Sequence, residues 1–68
     1  MTESLGEALP REIERVQEIM PYYVEIGPPG LFALTMMRAS VRRATEAMAA
    51  GDLPAMIAAY EDLKGYEA

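Results

Sequence analysis

Apolar positions recur at helical spacing in three stretches of this chain. The longest stretch, Pro28 to Ala50, carries them on more than one side. Leu34, Met37, Val41, Ala44 and Met48 follow one another at steps of 3, 4, 3 and 4, which places them on one helical face. Phe32, Met36, Ala39, Ala47 and Ala50 form a second stripe, turned from the first by roughly a third of a circle or more. Arg38, Arg42, Thr45 and Glu46 hold the remaining arc. The pattern predicts one long central helix over 28–50.

Upstream, Ile13, Val16, Met20 and Tyr23 form a second amphipathic pattern, widened by Ile19 and Ile26 and backed by Arg11, Glu14, Arg15 and Glu18. Pro10 suits the first helical position, where its missing N–H costs nothing. On this reading residues 1–9 are a flexible N-terminal arm and residues 10–68 a single helical domain. Pro21 removes the bond to the Gln17 carbonyl, so the first helix either kinks and continues to Ile26 or stops near Met20. Continuation is the reading favoured, because Tyr23, Val24 and Ile26 keep the apolar pattern. Gly27 reads as a left-handed C-terminal cap, with Pro28 preventing extension. Gly51 caps the central helix, and Asp52 is placed to accept the amide of Ala55 at the start of a third helix. Leu53, Met56, Ile57, Tyr60 and Leu63 form that helix's apolar stripe, and Gly65 ends it. Strand alternation is absent.

The expected fold is therefore all-α: a three-helix, hairpin-like module with a kinked helix 1, a long central helix 2 and a short helix 3. Helix 1 should fold onto the Leu34–Met48 stripe and helix 3 should cover one end of it. The Phe32–Met36–Ala39 side, with Leu31, is then left bare. The chain has 68 residues, no Cys and no His. A core this small stabilises folding only marginally, and neither disulfides nor Cys/His metal sites are available to help. Oligomerisation is the remaining device, and a homodimer in which two central helices meet is predicted. Its interface is expected to use Leu31, Phe32, Met36, Ala39, Ser40, Arg43 and Ala47. Arg43 falls within the apolar stripe, so it would need a carboxylate or a route to solvent, and it is the candidate for setting register or partner choice.

Charge narrows the partners. The net charge is −5, with carboxylates concentrated between Glu3 and Glu25 and at Glu61, Asp62 and Glu67. An acidic chain repels phosphate backbones and anionic lipid, so no nucleic acid and no membrane partner is expected. The acidic N-terminus has no apolar core like that of a signal peptide, and a Cys-free chain fits a reducing cytoplasm, so a cytoplasmic location is expected. Helices 2 and 3 with their short turn have the outline of a DNA-binding helix-turn-helix, but the segment 54–64 offers two acids and one base for reading bases. No catalytic residue, cofactor-binding residue or metal ligand stands out: the carboxylates lie on solvated faces and no phosphate loop or nucleophile–base pairing is present. Arg38, Arg42 and Arg43 form the basic cluster, which either binds an anionic partner or pairs with nearby glutamates, Arg42 with Glu46 and the other two with helix 1. The methionines 36, 37, 48 and 56 either line an adaptable groove or fill the core. Tyr22 and Tyr66 are the tyrosines expected to be exposed contacts, whereas Tyr23 and Tyr60 fall on core stripes.

The segments Tyr23-Val24-Glu25-Ile26-Gly27-Pro28-Pro29-Gly30, Phe32, Met36-Met37, Met48-Ala49-Ala50-Gly51-Asp52 and Ala59-Tyr60-Glu61-Asp62-Leu63-Lys64 resemble those of small uncharacterised helical proteins of bacteria and Mu-like prophages. That resemblance carries no activity and no catalytic residue. It implies an accessory gene product that binds and inhibits a host protein. Together these readings describe a small acidic protein–protein interaction module, not an enzyme. Two alternatives remain: an assembly subunit whose apolar strip only builds its own oligomer, and a helix-turn-helix regulator. The latter segments also resemble half of a tetratricopeptide repeat, but one helix pair is too little for that family.

Overall fold

The computed structural model describes residues 4–67. Three helices follow in order: α1 (Leu5–Ile26), α2 (Pro28–Ala50) and α3 (Leu53–Lys64), and the described residues contain no strand. Each helix packs against both of the others. The longest dimension is 37 Å, close to the length of α2, whose 23 residues span about 35 Å at the helical rise.

α1 starts earlier than Pro10. Ser4 is its N-cap, the amides of Glu7 and Ala8 donate to the Ser4 carbonyl, and the Ser4 hydroxyl bonds the Glu7 carboxylate. The expected flexible arm over 1–9 is thus corrected for residues 4–9, while residues 1–3 lie outside the described residues. The physical reason is Leu9. It extends the Ile13–Val16 stripe by one turn and is fully buried, so the helix that carries it is held against the core. Pro10 is accommodated in the helix body. Pro21 is accommodated too, on an exposed position, and α1 runs on to Ile26 without stopping near Met20.

The corner between α1 and α2 is built on two glycines. Gly27 has φ 94° and ψ −148°, so it is not the left-handed cap expected but a more extended positive-φ conformation that glycine alone adopts readily. Its carbonyl then accepts the amides of Gly30 and Leu31, the first turn of α2. Gly30 is buried, and a Cβ placed on it would stand 1.9 Å from the Tyr23 carbonyl oxygen. The start of α2 and the end of α1 therefore touch backbone to backbone.

The second corner follows the sequence reading. Gly51 is left-handed (φ 65°, ψ 27°); its amide bonds the Met48 carbonyl, and the next amide bonds the Ala47 carbonyl. Asp52 caps α3 by accepting the Ala55 amide at 3.2 Å. Replacing Asp52 with alanine is expected to cost about 1 kcal/mol and to lower the thermal midpoint by about 4–8 °C in a circular dichroism melt; an unchanged midpoint would show that the cap is idle.

The core is Leu9 and Val16 of α1, Met37 and Ala44 of α2, and Ala59 and Leu63 of α3, ringed by Ile13, Ile19, Met20, Tyr23, Val41, Met48, Met56 and Tyr60. Leu34 is buried as well. α3 departs from its expected face. Leu53 and Ile57 are exposed, and Ala59 faces inward instead, a rotation of roughly 60° from the stripe of large residues. The small Ala59 shares the buried cluster with Ala44 of α2, and that inward face is occupied in place of two larger side chains.

Candidate interaction surface

The length mismatch between α2 and α3 determines what is left open. α3 has 12 residues and spans about 18 Å, half the length of α2. It runs back along α2 from Gly51, so Asp62 meets Arg43 and Tyr66 meets Ser40. Nothing of α3 lies beyond that point. Phe32 is 72 % exposed, Leu31 57 % and Met36 49 %. These three form an apolar patch on the bare N-terminal half of α2.

The rest of the expected interface is placed differently. Ser40 and Ala47 are buried within the single chain, so neither lies on a free surface. Both face α3, which the two-stripe reading of α2 had directed elsewhere. Ala39 is half-buried. Arg43 stays largely exposed and meets its carboxylate inside the subunit: one guanidinium nitrogen donates to Asp62 and to Ser40, both at 3.2 Å. The expected pairing of Arg43 with helix 1 is therefore corrected to α3. Arg38 and Arg42 are exposed; among the described residues neither forms an ion pair, so the expected Arg42–Glu46 bridge is absent. Together with Thr35 and Ala39 they line a shallow depression beside the apolar patch.

Tyr22 is exposed, as expected. Tyr66 is not: it packs against the core, and its hydroxyl shares a 2.9 Å hydrogen bond with Ser40. No buried side-chain oxygen or nitrogen among the described residues lacks a partner, and Tyr66 and Arg43 together satisfy Ser40 in the interior.

Arg15 was read as part of a solvated face, and its role escaped the pattern. Its guanidinium donates to the Leu63 and Tyr66 carbonyls, each at 2.8 Å, and its Nε to the Glu12 carboxylate at 3.2 Å. Tyr23 donates its hydroxyl to the Glu67 carbonyl. α1 thereby caps the end of α3 and fastens the segment after it. The signal available in the sequence was position: Arg15 borders the Val16 stripe, where a long side chain reaches across to a neighbour.

Two further features lie outside the expected set. Leu53 and Ile57, exposed by the rotation of α3, line a small hollow with Leu5, Ala8 and Tyr60. Between α2 and α3 runs an open groove of about 470 Å³, floored by Ala47, Ala50, Ala55, Ala58 and Ala59 and edged by Arg43, Glu46, Asp52 and Asp62.

Set beside known proteins, the chain matches no family model, no curated protein sequence and no solved structure. The geometry thus has to carry the functional reading. Among the described residues, no three His, Cys, Asp or Glu side chains cluster as a metal site, and no helix is long and apolar enough to cross a membrane.

Proposed function

We propose that this chain is a small protein-interaction module that acts by docking the N-terminal half of α2 onto a protein, as an accessory protein that binds and inhibits a host target. One observation carries the reading: Leu31, Phe32 and Met36 stand exposed together on a half-helix that the chain's own α3 is too short to reach. Phenylalanine and methionine are residues that anchor interfaces, and the flanking Arg38 and Arg42 supply a charged rim. α3 and the turn before it carry Asp52, Glu61 and Asp62 against Lys64, which disfavours the helix-turn-helix alternative.

The test is capture of a partner with the wild-type chain and with Phe32→Asp as paired baits. Because Phe32 is exposed, the substitution is expected to shift folding stability by no more than about 0.5 kcal/mol, so lost binding reports on the surface and not on the fold. A protein retained by the wild type and lost, or weakened at least tenfold, with Phe32→Asp is the expected result. Equal retention by both baits overturns the reading.

A further inference from the structure

We propose that the bare half of α2 is covered by a second copy of the chain in antiparallel register, with Phe32 and Met36 of each copy entering the alanine-floored groove of the other. This rests on the docking reading above only for the surface it uses, and names a second copy as an occupant that would exclude the host protein from it.

The argument begins with position along one helix. Phe32 and Ala50 stand nine residues either side of Val41, Met36 and Glu46 five, and Ala39 and Arg43 two. At 100° per residue all six lie within roughly 40° of the Phe32 direction. A two-fold axis crossing this face near position 41 therefore sets the bulky N-terminal half of one α2 against the small-residue C-terminal half of the other. Closed symmetry makes each contact twice.

Shape agrees with that register. The protruding side chains, Phe32 and Met36, are on the N-terminal half. The recess is on the C-terminal half, on the same side of α2: the groove of about 470 Å³ between α2 and α3, floored by five alanines. A recess of that size has room for a phenylalanine and a methionine side chain. Within one subunit Phe32 and Met36 stand about 22 Å and about 16 Å along α2 from Ala47 on the groove floor, so knob and hole meet only between copies.

Charge agrees independently. Arg38 and Glu46 lie to the same side of the α2 face, about 120° and about 40° from the Phe32 direction, and neither has an ion-pair partner among the described residues. In the antiparallel register an edge of one helix faces the same edge of its mate. Arg38 of one copy then falls about 3 Å along the axis from Glu46 of the other, within reach of a salt bridge. The two Arg43 side chains approach near the centre, each already held by the Asp62 of its own chain. A parallel arrangement would instead set Phe32 against Phe32 and leave the grooves empty.

The chain has no cysteine, so single cysteines report register cleanly. Thr35 and Ala49 are exposed on the Arg38–Glu46 edge, about 3 Å apart along the axis across the two-fold but about 21 Å apart within one chain. The wild-type chain is expected to sediment as a dimer at micromolar concentration. Mixing Thr35→Cys with Ala49→Cys chains and adding a bismaleimide of about 8 Å reach should link position 35 to position 49, with no 35–35 or 49–49 product. Phe32→Asp should sediment as a monomer. Arg38→Glu should weaken the dimer several-fold, and Arg38→Glu/Glu46→Arg should restore it. A monomeric wild type, a 35–35 product, or a dimer that persists in Phe32→Asp overturns the proposal. If the wild type is monomeric while Phe32-dependent capture of another protein persists, self-pairing fails and the docking reading stands. If the dimer forms in register and no other protein depends on Phe32, self-pairing stands and the docking reading fails.

Discussion

Gly30→Ala is expected to unfold much of this protein at physiological temperature. The added Cβ would stand 1.9 Å from the Tyr23 carbonyl oxygen and 2.8 Å from its carbonyl carbon, with Ile26 Cβ at 3.1 Å. The obstructing atoms are backbone, so no rotamer change relieves the clash. α1 and α2 must move apart at the corner that sets their angle, and the contacts of Tyr23 and Leu34 with the core move with them. Overpacking in a well-packed site costs about 1–3 kcal/mol, and a backbone obstruction belongs at or beyond the upper end. A domain of this length has only about 3–10 kcal/mol of total stability. The expected fall in thermal midpoint is at least about 12 °C, with loss of a cooperative transition as the stronger outcome. A circular dichroism melt of Gly30→Ala within 2 °C or so of the wild type would show that the helices do not approach this closely.

Arg15→Ala comes next in size. The guanidinium donates to the carbonyl of Leu63, which also accepts the Tyr66 amide, and to the carbonyl of Tyr66 just past the C-terminus of α3, where backbone donors are scarce. It also brings positive charge to the negative end of the α3 dipole. Hydrogen bonds to a charged donor contribute about 1.5–3 kcal/mol each when sheltered; half-exposure of Arg15 reduces this, and a total loss of about 2 kcal/mol is expected. The thermal midpoint should fall by about 8–16 °C. A second readout separates lost capping from lost bulk. Arg15→Lys keeps the charge but cannot bridge two carbonyls with a planar fork, so it should recover less than half of the loss. Amide exchange over residues 63–67 should accelerate in both variants. Full recovery by lysine would mean that charge alone, and not the paired hydrogen bonds, holds the end of α3.

Helix count, type and corners were legible because each is a local matter. The 3-and-4 spacing of Leu34, Met37, Val41, Ala44 and Met48 identifies a helix wherever it packs, and Gly51 with Asp52 ends one helix and begins the next through bonds reaching only a few residues. The start of α1 was local too, but Gly6 and Pro10 masked it: Ser4-Leu5-Gly6-Glu7 has the spacing of a capping box. The candidate surface was legible in part. Leu31, Phe32 and Met36 stand out as more apolar surface than α3 reaches, and they are exposed. Ser40, Ala47 and Tyr66 were misplaced because the direction of α3 relative to α2 is not written in either helix alone. Small residues look alike whether they admit a second subunit or a neighbouring helix of the same chain.

By itself the sequence determined three helices, the Gly51–Asp52 corner and an excess of apolar surface on the middle helix, because backbone hydrogen bonding and side-chain periodicity act within a few residues. Only the tertiary structure decided which alanines face inward, that Gly30 brings two backbones into contact, and that Arg15 reaches across 48 residues of sequence to cap α3. Those outcomes depend on how closely helices can approach, and closeness is set jointly by residues far apart in the chain.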